Sequence, residues 1–81
     1  MQEFSEILDG LILIESDTSI PKNVREKIKN AIEILNNGQE CNFAIKIDRS
    51  LQELGDVIED PNLPAHARMQ IWSVVSRLES K

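Results

Sequence analysis

Apolar residues in this chain recur at spacings of three and four, and no run alternates apolar and polar in the manner of a strand. Phe4, Ile7, Leu8, Leu11 and Ile14 line one face of a helix predicted over about residues 2–15. Val24, Ile28, Ala31, Ile32 and Leu35 do the same for a second helix from Pro21 to about Asn36. A third runs from about Asn42 to Ile58 through Phe43, Ile47, Leu51, Leu54 and Ile58. The fourth begins at Pro64 and carries Ala67, Ile71, Val74, Val75 and Leu78. The fold class is therefore all-α. Short connections make consecutive helices antiparallel, which gives an up-and-down four-helix bundle.

The second half of the pattern repeats the first at an offset of 43 residues. Asp17 falls on Asp60, Pro21 on Pro64, Arg25 on Arg68, Ile28 on Ile71 and Leu35 on Leu78. Leu8, Leu11 and Ile14 fall on Leu51, Leu54 and Val57. Residues 3–35 and 46–78 thus read as one helix–loop–helix unit used twice. With 81 residues there is room for one domain, residues 1–81, and one core.

Each joint has the same chemistry. Pro21 and Pro64 are expected in the first turn of a helix, where a fixed φ helps and a missing N–H costs nothing. Ile20 and Leu63 are pushed out of the α region by the prolines and should anchor the loops inward. Asp17 and Asp60, with Ser19 and Asn62, can satisfy amides at the helix starts. The recurring pairs Asp17/Arg25 and Asp60/Arg68 read as structural, a loop carboxylate held by an arginine one turn into the next helix. Asn36-Asn37-Gly38 reads as a helix stop in which glycine takes the left-handed conformation.

Composition narrows the function classes. Fourteen acidic residues against nine basic give a net charge of −5, and Lys22, Arg25, Lys27 and Lys29 enclose Glu26 instead of forming a phosphate track. Nucleic acid is not an expected partner, nor is an anionic membrane. Met-Gln-Glu-Phe-Ser-Glu at the start has no basic region ahead of the apolar run, so no signal peptide is expected. Leu11 to Ile14 is too short an apolar stretch to span a bilayer. One cysteine excludes an intrachain disulfide and suits a reducing, cytoplasmic setting.

Catalytic or cofactor-binding chemistry is not legible. His66 is the sole histidine, with Glu59 and Asp60 across a loop and Asn23 as its repeat counterpart. It lacks the clustered ligands of a metal site and the neighbouring nucleophile of a general base. Cys41 stands without a CxxC spacing and is expected to be a partly buried small residue. The expectation is no enzyme, no metal and no cofactor.

The positions that break the repeat say more. Met69 and Trp72 stand where the first unit has Glu26 and Lys29, on a flank shared with Ala65 and Ser76, whose counterparts are Lys22 and Glu33. Ile12 and Leu13 stand where the second unit has Gly55 and Asp56. In an up-and-down bundle the first and fourth helices are neighbours. These two apolar excesses therefore read either as the completion of the core, with Trp72 covering an open seam, or as one merged contact face. The contact face is preferred because charge stands at the repeat counterparts Glu26, Lys29 and Asp56. The function expected is a protein–protein interaction or assembly module, binding a protein partner or a second copy. The alternative is a small-molecule or peptide binder in a groove between the two hairpins.

The segment D-T-S-I-P (17–21) and the block D-P-N-L-P-A-H-A-R-M-Q-I-W (60–72) resemble a family of small archaeal proteins of unknown function. The resemblance covers nearly the whole chain and implies an all-helical protein, with no assigned activity and no catalytic residues to carry over. A fainter likeness is to HEAT repeats, through Asp17, Val24, Arg25, Ile28, Ile32 and Leu35 and again through Asp60, Pro61, Arg68, Ile71, Val75 and Leu78. Two units are too few for an open solenoid, so they must close on each other or on another molecule.

Overall fold

In the computed structural model, which describes residues 4–38 and 42–80, the periodic segments form four helices. These are α1 (Ser5–Glu15), α2 (Lys22–Asn36), α3 (Phe43–Glu59) and α4 (Ala65–Glu79). Moved by 43 residues, α2 coincides with α4 from end to end. Helix α1 packs on α2 and α4, and α3 packs on the same two, whereas the diagonal pairs make no close backbone approach among the described residues. The four helices therefore form a closed ring, and the two hairpins cover each other's apolar faces instead of stacking as an open solenoid.

The core follows the predicted stripes. Ile7, Leu8, Leu11 and Ile14 of α1, Val24, Ile28, Ala31 and Leu35 of α2, and Ala67, Ile71, Val74, Val75 and Leu78 of α4 are all buried. Helix α3 departs from its expected face. Leu54 and Val57 are buried, whereas Phe43, Ile47, Leu51 and Ile58 are only partly covered. Ser50 fills the place of Ile7 in the other unit and is fully buried, with its hydroxyl donating to the Ile47 carbonyl at 3.0 Å. At one end the rings of Phe4 and Phe43 stack, with centroids 5.0 Å apart, across the bundle diagonal.

The opposite end holds the two proline joints, which share their hydrogen bonds. Ile20 N–H donates to the Asp17 carbonyl, and Leu63 N–H to that of Asp60, both at 3.2 Å. Arg25 N–H donates to the Pro21 carbonyl at 3.0 Å and Arg68 N–H to that of Pro64 at 2.9 Å. Ile20 and Leu63 are buried beneath these turns. The prolines sit one residue outside the expected first turn: ψ is 147° at Pro21 and 149° at Pro64, so each is the helix N-cap. Their carbonyls accept the first helical bond, and a proline loses nothing by lacking an N–H there.

At the other joint the glycine reading is corrected. No described glycine has positive φ, and α2 ends because Asn37 turns extended, with ψ 104°. Asn42 opens α3 as its N-cap, its side chain accepting from the Ile45 N–H at 3.2 Å. Cys41, and the predicted start of the first helix at residue 2, lie outside the described residues.

Candidate interaction surfaces and the loop cluster

The duplication makes two equivalent seams between the hairpins, α1 against α4 and α2 against α3. A groove of about 420 Å³ opens along the first, lined by Glu6, Asp9, Gly10, Leu13, Ile14, Gln70, Ser73, Val74 and Arg77. A second, of about 330 Å³, lies along the other and is lined by Ile34, Arg49, Gln52, Glu53 and Asp56. At the offset of 43 these five are the counterparts of Arg77, Glu6, Asp9, Gly10 and Leu13. The two grooves are therefore one feature with two sets of side chains.

Their chemistry has diverged. In the α1/α4 groove Gly10 stands where the sister groove has Glu53, and Leu13 where it has Asp56. Gly10 leaves the floor open: a methyl group there would lie 3.5 Å from Val74 Cγ2, an ordinary contact. Leu13 is 67% exposed. The Arg77 guanidinium donates to the Glu6 carboxylate across the seam, which leaves Asp9 as the remaining acid on the groove wall.

The four apolar residues picked out by the broken repeat are all exposed, but they do not merge into one face. A helix advances about 100° per residue, so the adjacent Ile12 and Leu13 diverge. Leu13 lines the groove with α4, while Ile12 lies on the other flank of α1. On α4 the groove is met by Gln70, Ser73, Val74 and Arg77, and Met69 and Trp72 fall on the outward stripe away from it. Trp72 is thus neither core nor groove wall, with 52% of its surface in solvent.

The Asp/Arg joints are also wired differently from expectation. Neither Asp17/Arg25 nor Asp60/Arg68 forms an ion pair; among the described residues Glu6 pairs with Arg77, and Asp17 shares a hydrogen bond with His66. Arg68 instead donates through Nε to the Ile58 carbonyl and through a terminal nitrogen to that of Asp60, both at 3.2 Å. It thereby satisfies carbonyls at the end of α3. Asp60 accepts from the Asn62 N–H at 2.8 Å. Arg25 has no equivalent bond at its buried Nε, which is unpartnered. A carboxylate that closes its own loop is occupied two residues away, and an arginine reaching back meets helix-end carbonyls first.

His66 does find an acid, 49 residues distant in the chain. Its Nε2 lies 2.9 Å from Asp17 Oδ2, and the Ser19 hydroxyl and N–H donate to Asp17 Oδ1 at 2.7 and 2.9 Å. The bond to His66, followed by those from Ser19, draws the Asp17 carboxyl down to about 2. Serine, histidine and aspartate are the members of a hydrolytic triad, but here the carboxylate stands in the middle. Activation of a serine needs its proton aimed at the imidazole. The Ser19 proton points at Asp17, so the cluster is a clasp between the first loop and α4. Sequence reasoning missed it because only the ring of helices places these two joints side by side.

Among the described residues no helix is long and apolar enough to cross a membrane. The crystal structure of a protein of unknown function, MMP1188, is similar over 96% of this chain and 88% of that one, with a TM-score of 0.89 and 37% sequence identity. A UPF0147 protein of Methanosarcina mazei is 40% identical over 75 residues, covering 93% of this chain and 80% of the relative. One from Saccharolobus islandicus is 37% identical, covering 94% and 88%. The family signature that these archaeal relatives carry matches residues 1–80: the chain belongs to the uncharacterised protein family UPF0147.

Proposed function

We propose that the protein is a non-enzymatic protein–protein interaction module that takes a partner segment into the α1/α4 groove. The reading rests on the contrast between two equivalent grooves, one walled by Glu53 and Asp56 and the other opened by Gly10 and walled by Leu13. From Glu6 to Leu13, and from Gln70 to Arg77, the groove follows two turns of each helix, about 10 Å. That length accepts apolar side chains at positions i, i+4 and i+7 of an amphipathic helix. Asp9 favours a lysine or arginine on the same segment. The volume also lies within the range of small-ligand clefts, which keeps a small molecule as the second reading.

The test exchanges one groove for its sister. Gly10→Glu with Leu13→Asp installs residues that the other unit already carries at these positions, so the helical circular dichroism should be unchanged. Immobilised wild-type protein should retain a defined partner from lysate of the source cells, and the variant should lose it. A partner retained equally by both would refute the groove. Retention of a low-molecular-weight compound with no protein would select the second reading.

A further inference from the structure

The two seams between the hairpins are tied in different ways. Along α1/α4 a polar pair stands at each end. Arg77, in the last turn of α4, donates to Glu6 in the first turn of α1. At the opposite end His66, in the first turn of α4, lies 2.9 Å from Asp17, just beyond α1. At the offset of 43 the same four places along α2/α3 hold Ile34 and Arg49, and Asn23 and Asp60. Ile34 cannot pair with Arg49, and among the described residues no hydrogen bond joins Asn23 to Asp60, whose carboxylate takes the Asn62 N–H instead.

Packing differs in the opposite sense. Helices α2 and α3 approach closely over more of their length than α1 and α4 do. Gly10 brings no side chain to the α1/α4 seam, which opens into the larger of the two grooves. A seam closed by packing parts only by exposing apolar surface, at a cost that grows with the area. Polar pairs at the surface hold weakly, and salt weakens an ion pair further. In a ring of four helices, the less closely packed seam is the one that parts while the seam opposite serves as hinge.

We propose that the α1/α4 seam is a latched opening, with Arg77–Glu6 and His66–Asp17 as its latches and α2/α3 as its hinge. Glu6 and Arg77 both line the groove, so release of their latch widens it at that end. Regulation of partner entry by this device rests on the groove reading above; the opening itself does not.

Thiol labelling of the full chain tests the opening without a partner. Ile14 lines the α1/α4 groove, Val57 is its counterpart at the α2/α3 seam, and both are buried. With Cys41→Ser, either Ile14→Cys or Val57→Cys leaves a single thiol for an aromatic disulfide reagent. When closing outpaces labelling, the rate follows the population of open molecules. Each rate is divided by the unfolded fraction of its variant, obtained from denaturant unfolding. Position 14 should then be labelled about fivefold faster than position 57. Arg77→Ile with His66→Asn installs the sister residues and should speed labelling at position 14 by about two- to fivefold, leaving position 57 unchanged. Should that variant unfold, Glu6→Gln releases one latch alone and should show the same selectivity. Equal corrected rates at the two positions would overturn the proposal. So would latch variants that leave position 14 unchanged or speed both positions alike.

Discussion

Arg25 and Arg68 occupy the same position of the repeat and do different work. Arg68 donates to two helix-end carbonyls, while the buried Nε of Arg25 has no partner. Substituting methionine keeps the apolar stem and removes only the guanidinium. Arg68→Met should therefore cost about 1–3 kcal/mol, whereas Arg25→Met should stay within about 0.5 kcal/mol. Denaturant unfolding of the two variants checks this, and equal losses would refute it. The sequence marked an arginine at each joint but not which of them holds anything, because an Asp/Arg recurrence looks the same whether the partner is a carboxylate, a carbonyl or absent. Asp17 permits a second test on a single side chain. Its carboxyl is lowered from 3.8 to about 2, so the native state favours the ionised form. The stabilisation is present above about pH 4 and is lost as pH falls through about 2. NMR titration of the side-chain carboxyl should show the low midpoint, and His66→Ala should move it up toward the ordinary value. A midpoint near 4 in the unmodified protein would show that the clasp does not form.

Among the helices, existence was legible in the sequence and buried faces were nearly so. The stripes of α1 and α4 are buried as their spacing requires, because three- and four-residue periodicity is itself a statement of geometry. Helix α3 was harder, since Ser50 takes a core position that its residue type does not advertise and satisfies its hydroxyl on its own backbone. Gly10 marks the reverse case, a helix-interior glycine on the groove floor. Glycine there costs about 0.5–1 kcal/mol relative to alanine, and an alanine methyl would meet Val74 without strain. Gly10→Ala should raise the melting temperature by a few degrees while making the groove shallower. A lower melting temperature would mean that the floor is tighter than the 3.5 Å contact implies.

Taken together, the four helices turn one duplication into two grooves, and side-chain divergence gives them different characters. The sequence carried that divergence at Leu13 and Asp56 but could not say that Leu13 faces α4 while Ile12 faces away. It also could not place Met69 and Trp72 on a separate surface, since that depends on which flank of α4 the ring leaves outward. The duplication supplies an internal control for the assignment of binding to the α1/α4 groove. A photoreactive amino acid is placed at Leu13 in one sample and at Asp56 in another, and each is illuminated in lysate of the source cells. One defined protein adduct is expected from position 13 and none from position 56, as identified by mass spectrometry. Adducts from position 56 alone, or the same adducts from both, would rule out a partner seated in the α1/α4 groove.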